Sequence, residues 1–211
     1  MKNTKFAPAA LCLGALLLAA PVASADSHGD RKEAAPAASA PAADPANDAM
    51  MAEMMKSAQP GPEHKMLESM VGTWKATISM WSGPGDPQKS EGSMVNTMQL
   101  GGRALEARFK GSFMGMPMEG VGFTGFDNMK KEWWSIWMDV MSTGAMFQTG
   151  APSADGKSNV VRGMSVGMDG KPAEFVSTTK LVDADSHVYT MATKMGDQVV
   201  PMMEITYTRA K

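Results

Sequence analysis

A single cysteine, Cys12, stands in the whole 211-residue chain, and it falls within the first apolar run. No disulfide can therefore staple the fold, and no pair of thiols is available for zinc or redox chemistry. Histidine is nearly as scarce, with only His28, His64 and His187. Nucleophilic catalysis pairs a Ser, Cys or Thr with a base that is usually His. The sequence also has no G-x-S-x-G elbow, no H-E-x-x-H and no glycine-rich phosphate cradle between a strand and a helix. These absences argue against an enzyme. No stretch stays apolar for the roughly 20 residues that a membrane-spanning helix needs.

What is present begins with an export signal. Lys2 and Lys5 precede an apolar run from Ala9 to Ala20, and Ala23-Ser24-Ala25 has the small residues of a cleavage site. The expectation is a signal peptide over 1–25 and a periplasmic or secreted product. Cys12 follows Leu11 at the start of the apolar run, the wrong place for lipid attachment, and cleavage removes it. The signal holds two of the 20 basic residues and none of the 22 acidic ones, so the remainder carries 22 minus 18, four net negative charges. That balance argues against nucleic acid or an acidic membrane face as a partner.

From Asp26 to about Asn47 the chain is mostly Ala and Pro, without aromatic or large aliphatic residues, and reads as a disordered tether. Met50, Met51, Met54 and Met55 then fall at helical spacing behind a candidate Asp48 cap and before the breaker Pro60-Gly61-Pro62. A second helical segment, Glu63 to Val71, closes at Gly72. The domain division expected is signal 1–25, tether with a Met-rich helix 26–60, and a folded domain over 61–211.

Past Gly72 the texture changes to short runs of β-formers separated by Gly, Pro, Asn and Asp. Ten strands are expected: 73–81, 92–100, 103–113, 118–126, 132–140, 144–149, 159–166, 173–182, 187–194 and 199–209. Trp74, Ala76, Ile78 and Met80 alternate with Lys75, Thr77 and Ser79, so one face is buried and the other wet. A series of about eight to ten antiparallel strands closes into a small barrel, with a sandwich as the alternative. Gly120, Gly122 and Gly125 read as bends and bulges in curved strands.

Gly72-Thr73-Trp74, opening the first strand after a short helix, resembles the start of calycins, the superfamily of lipocalins and fatty-acid-binding proteins. The wider pattern is Pro62-Glu63-His64-Lys65, Gly101-Gly102-Arg103-Ala104-Leu105, Glu119-Gly120-Val121-Gly122, Gly125-Phe126-Asp127-Asn128, Trp137-Met138-Asp139, Asp155-Gly156-Lys157 and Glu204 to Arg209. Together these segments, from about Pro62 to Lys211, resemble a bacterial family known as domain of unknown function 1579, grouped with the calycins. The resemblance implies a calycin-like barrel and brings no catalytic residues. It also implies that Arg209, on the last strand, covers Trp74 as a cation over an indole face. By the same analogy His187 is a candidate haem ligand.

Methionine is the strongest compositional signal, with 23 in the chain. Met80, Met94, Met98, Met138 and Met191 fall within strand patterns and read as core, where Met substitutes for Leu and Ile at small cost. A sharper reading is a thioether site for Cu(I). Met114-Gly-Met116-Pro-Met118 would set three sulfurs on one side of an extended segment, and the Met50 to Met55 cluster would stack sulfurs one helical turn apart. A third reading treats exposed Met as a reversible oxidant trap.

Polar residues that alternation could turn inward are Asp139 beside Trp137, Arg162, His187 with Tyr189, and Glu204. Converging in an apolar barrel, they would anchor a ligand; a register error of one residue would turn each outward. The run Trp133-Trp134-Ser135-Ile136-Trp137 is apolar on both faces, so one face needs a cover, with the 63–71 helix or the Met-rich segment as candidates. The reading that results is an exported, non-enzymatic barrel binding a small apolar or amphipathic ligand. Its rivals are a methionine-based Cu(I) or oxidant-scavenging protein and an interaction module with a filled core.

Overall fold

The computed structural model describes residues 45–167, 170–195 and 198–211. The expected signal at 1–25 and the expected tether before residue 45 lie outside the described residues. Two helices come first, α1 over Pro45–Ser57 and α2 over Pro62–Ser69. Ten strands follow: β1 Gly72–Met80, β2 Gln88–Gln99, β3 Ala104–Phe113, β4 Met116–Asp127, β5 Glu132–Asp139, β6 Met146–Gly150, β7 Ser158–Val166, β8 Pro172–Asp183, β9 Ser186–Met195 and β10 Gln198–Arg209. Each pairs antiparallel with the next, and β10 returns to β1, closing the barrel. The closed sheet excludes the sandwich, and closure leaves no sheet edge to protect. No helix among the described residues is long and apolar enough to cross a membrane.

Alternation sets the inward face. In β1 Trp74, Ala76 and Ile78 are buried, and across the β10 pairing they meet Ile205 and Tyr207. Phe109, Met94 and these residues form one core cluster. A second cluster lies at the other end of the interior, where Met66, Leu67 and Met70 from the α2 region pack on Leu105, Phe126, Trp133 and Val161. The α2 segment is thus a plug across one end of the barrel. Its start is set by the Gly61 N–H, which donates to Nδ1 of buried His64 at 3.0 Å.

Several local expectations differ from what the fold does. α1 opens at Pro45, so Asp48 sits inside its first turn rather than capping it, and the expected tether ends earlier than Asn47. None of its residues is buried, and Met50, Met51, Met54 and Met55 are all exposed. The cover for the tryptophan run is therefore α2, and it acts from inside, on Trp133. What holds the end of α1 is Asn128, whose Nδ2 donates to the carbonyls of Ser57 at 2.8 Å and Gln59 at 2.7 Å.

The glycines of β4 are not bulges, since the β4–β5 register runs unbroken from Gly120 opposite Asp139 to Asp127 opposite Glu132. They are clearings for indole rings. A Cβ on Gly120 would lie 2.3 Å from the Trp137 ring and one on Gly125 would lie 2.2 Å from the Trp134 ring. Trp137 uses the inner face and Trp134 the outer, as alternation in β5 requires. The ring of Phe109 likewise lies over Gly92 and Gly111, which face each other across β2 and β3.

Candidate functional site

The barrel interior holds a cavity of about 620 Å3, so the filled-core expectation does not describe it. Its floor is Met70, Leu105 and Val161 next to the α2 plug, and it extends to Trp81, Met114 and Ser142 in the connections at the opposite end. Pockets for small molecules are commonly 300–1,000 Å3 and mostly apolar. Nine methionines line this one: Met70, Met80, Met94, Met114, Met118, Met146, Met191, Met202 and Met203. Unbranched thioether side chains adapt to differently shaped occupants.

Of the residues expected in the site, four line the cavity: Trp137, Asp139, His187 and Tyr189. The Trp137 Nε1–H donates to Asp139 Oδ2 at 2.7 Å, and the Met141 N–H donates to Asp139 Oδ1 at 2.9 Å. Asp139 thereby fixes the indole that forms part of the wall. His187 is 2 % exposed, set edge-on to Trp74 with centroids 4.4 Å apart and stacked on Tyr207 at 4.6 Å. Burial, with a smaller contribution from the Arg209 charge, pushes its pKa down to about 4, so the ring is neutral at physiological pH. Its Nδ1 is buried without a hydrogen-bond partner among the described residues. The Tyr189 hydroxyl lies 2.9 Å from Ser177 Oγ, and burial raises its pKa and that of Tyr207.

Arg162 and Glu204 do not join them. Both are exposed, because their neighbours Val161 and Ile205 take the inward positions of β7 and β10 and leave the alternate positions to solvent. Met138 is exposed on the outer face for the same reason, since Trp137 points in. Met114, Met116 and Met118 do not share an extended segment. Met114 and Gly115 form the β3–β4 turn with φ of 50° and 81°, Met116 is exposed, and Met118 lines the cavity.

The polar residues that sequence reasoning passed over are neutral. Asn96, Gln148, Asn159 and Ser177 are all buried and all line the cavity. Asn96 Nδ2 donates to the Met70 carbonyl at 3.0 Å, and Gln148 Nε2 donates to the Phe175 carbonyl at 3.3 Å. Parity with a buried neighbour would have found them: Asn159 is two residues from Val161, and Ser177 two from Phe175.

One known structure shares the fold. The crystal structure of Rv2717c from M. tuberculosis aligns with a TM-score of 0.54 at 13% identity, covering 72% of this chain and all of that one. The S-type phycobiliprotein lyase CPES from Guillardia theta aligns with a TM-score of 0.49 at 10% identity, covering 75% of this chain and 97% of that one. No curated protein matches the sequence. The family model described as protein of unknown function (DUF1579) matches residues 59–209, and the chain belongs to that family.

Proposed function

We propose that this protein is an exported carrier that takes a small apolar or amphipathic molecule into its barrel and performs no chemistry on it. The observation that carries the reading is the cavity of about 620 Å3, walled by Met, Phe and Trp and reaching the connections opposite the α2 plug. An unfilled interior of that size forgoes packing that a core normally makes, so it is kept for an occupant. Binding without catalysis accords with the two ionisable side chains nearest to hand. Asp139 is held by Trp137 and the Met141 N–H, and His187 is neutral and enclosed by aromatic rings. Export rests on the charged, apolar and small-residue regions of 1–25.

Mass spectrometry of small molecules extracted from protein purified from its native host tests this. The expected result is an organic compound in near-stoichiometric amount. An extract free of organic ligand, from protein that also fails to bind a neutral apolar dye, contradicts it.

A second reading, thioether chemistry with Cu(I) or oxidants, is favoured by the exposure of Met50, Met51, Met54 and Met55 on α1. A Cu(I) competition assay with no binding tighter than about micromolar removes its metal form.

A further inference from the structure

Two rows of uncharged polar side chains cross the cavity wall on β4 to β9. Thr124, Ser135 and Gln148 are direct cross-strand neighbours on β4, β5 and β6, and all three face the cavity. Asn159, Thr179 and Tyr189 make a second such row on β7, β8 and β9, and Ser177 beside them shares a hydrogen bond with Tyr189. The opposite wall, on β1, β2, β3 and β10, is mainly apolar, presenting Ile78, Met94, Phe109, Met203 and Ile205 beside the uncharged Asn96 and Tyr207.

Every group in the polar rows is uncharged. No Lys or Arg lines the cavity among the described residues, and its one carboxylate, Asp139, already accepts from Trp137 and Met141. An anionic headgroup entering this space would lose its hydration without meeting a cation. A hydroxyl or carbonyl would meet partners. Asn159 is only 5 % exposed and lines the cavity. Its amide can hydrogen-bond a ligand hydroxyl or carbonyl oxygen.

Resting on the carrier reading above, we infer that the barrel selects uncharged amphiphiles, apolar molecules bearing hydroxyl or carbonyl groups, and rejects the corresponding carboxylates. The polar rows of β4–β9 contact the oxygenated edge, and the Met and Phe wall contacts the hydrocarbon.

The test is displacement of the neutral dye Nile red from the purified protein by dodecanol and by dodecanoate at mildly alkaline pH. Dodecanol is expected to displace the dye at a concentration at least about tenfold lower. Asn159→Leu and the near-isosteric Thr179→Val are each expected to weaken dodecanol about fivefold or more; should the first fail to fold, the second carries the comparison. Lowering the pH until dodecanoate protonates should narrow the gap in the wild-type protein. Dodecanoate binding as tightly as dodecanol at alkaline pH overturns the selection while leaving the carrier reading intact. So does dodecanol affinity unchanged in every folded variant. Displacement by neither compound, with no saturable dye binding, overturns both.

Discussion

The Arg209 guanidinium carbon lies 4.1 Å from the centroid of the Trp74 ring, on strands paired directly at those two residues. The same side chain donates from Nη1 to the Val71 carbonyl at 2.8 Å, from Nη2 to the carbonyls of Ser69 at 3.1 Å and Ala184 at 2.9 Å, and from Nε to Asp185 Oδ1 at 3.1 Å. One residue thus joins the last strand, the first strand, the end of α2 and the β8–β9 turn. Gly72 makes room for it: a Cβ there would lie 2.7 Å from Nη1.

Arg209→Ala removes a cation–π contact worth about 0.5–2 kcal/mol together with several charge-assisted hydrogen bonds. A loss of about 2–3 kcal/mol is expected, a drop in melting temperature of roughly 4–12 °C. Trp74→Ala should cost more, because the ring is 1 % exposed and its Nε1–H donates to the Met70 carbonyl at 2.8 Å. Unchanged melting temperatures in both variants would remove the pairing from the account.

The indole clearings in β4 give a second prediction. Gly120→Ala and Gly125→Ala each drive a methyl into a tryptophan ring and should cost about 1–3 kcal/mol, the usual range for overpacking. Only Gly120→Ala acts inside the barrel, displacing Trp137 from its Asp139 bond, so it should also perturb dye binding. Gly125→Ala, acting on the outer Trp134, should not. Equal effects on binding would show that the two rings are not divided between the faces.

The α2 plug is tested by Leu67→Ala. Leu67 is 1 % exposed in the floor cluster, and truncation there should cost about 2–5 kcal/mol in denaturant titration. A loss under about 0.5 kcal/mol would mean that α2 does not seal the barrel.

His187 makes stability depend on pH. Its folded pKa is lowered from 6.5 to about 4, so between those values the unfolded chain binds a proton that the folded one refuses. The contribution is fully present above pH 6.5 and is lost as pH falls toward 4, a change on the order of 3 kcal/mol. His64, also lowered chiefly by burial, acts in the same direction. Urea titrations at pH 7.5 and 5 should show about 2 kcal/mol of this loss in the wild-type protein and a smaller one in His187→Gln. An equal pH dependence in the variant would exclude His187 as its source.

The ten strands were legible because inward residues such as Trp74, Ala76, Ile78 and Met80 are apolar and their neighbours are not, and because Gly and Asn mark the turns. The Arg209–Trp74 contact was legible through resemblance. The polar lining of the cavity was not, because a ligand chamber breaks the rule that reveals a core: Gln148, Asn159 and Ser177 are polar yet inward. Charge was a poor guide for the same reason. Arg162 and Glu204 attract notice as anchors, but their strands give the inward positions to Val161 and Ile205. The β4 glycines show another limit, since ring clearance and a bulge demand the same residue, and only the register distinguishes them.

The central claim is that the chamber holds a ligand, and Ala107→Trp tests it most directly. Ala107 lines the cavity on β3 between Leu105 and Phe109, and an indole there occupies ligand space. Isothermal titration of a neutral apolar dye should give one saturable site per wild-type chain and none in a folded Ala107→Trp variant. Saturable binding of equal affinity in both proteins, or in neither, would contradict the account.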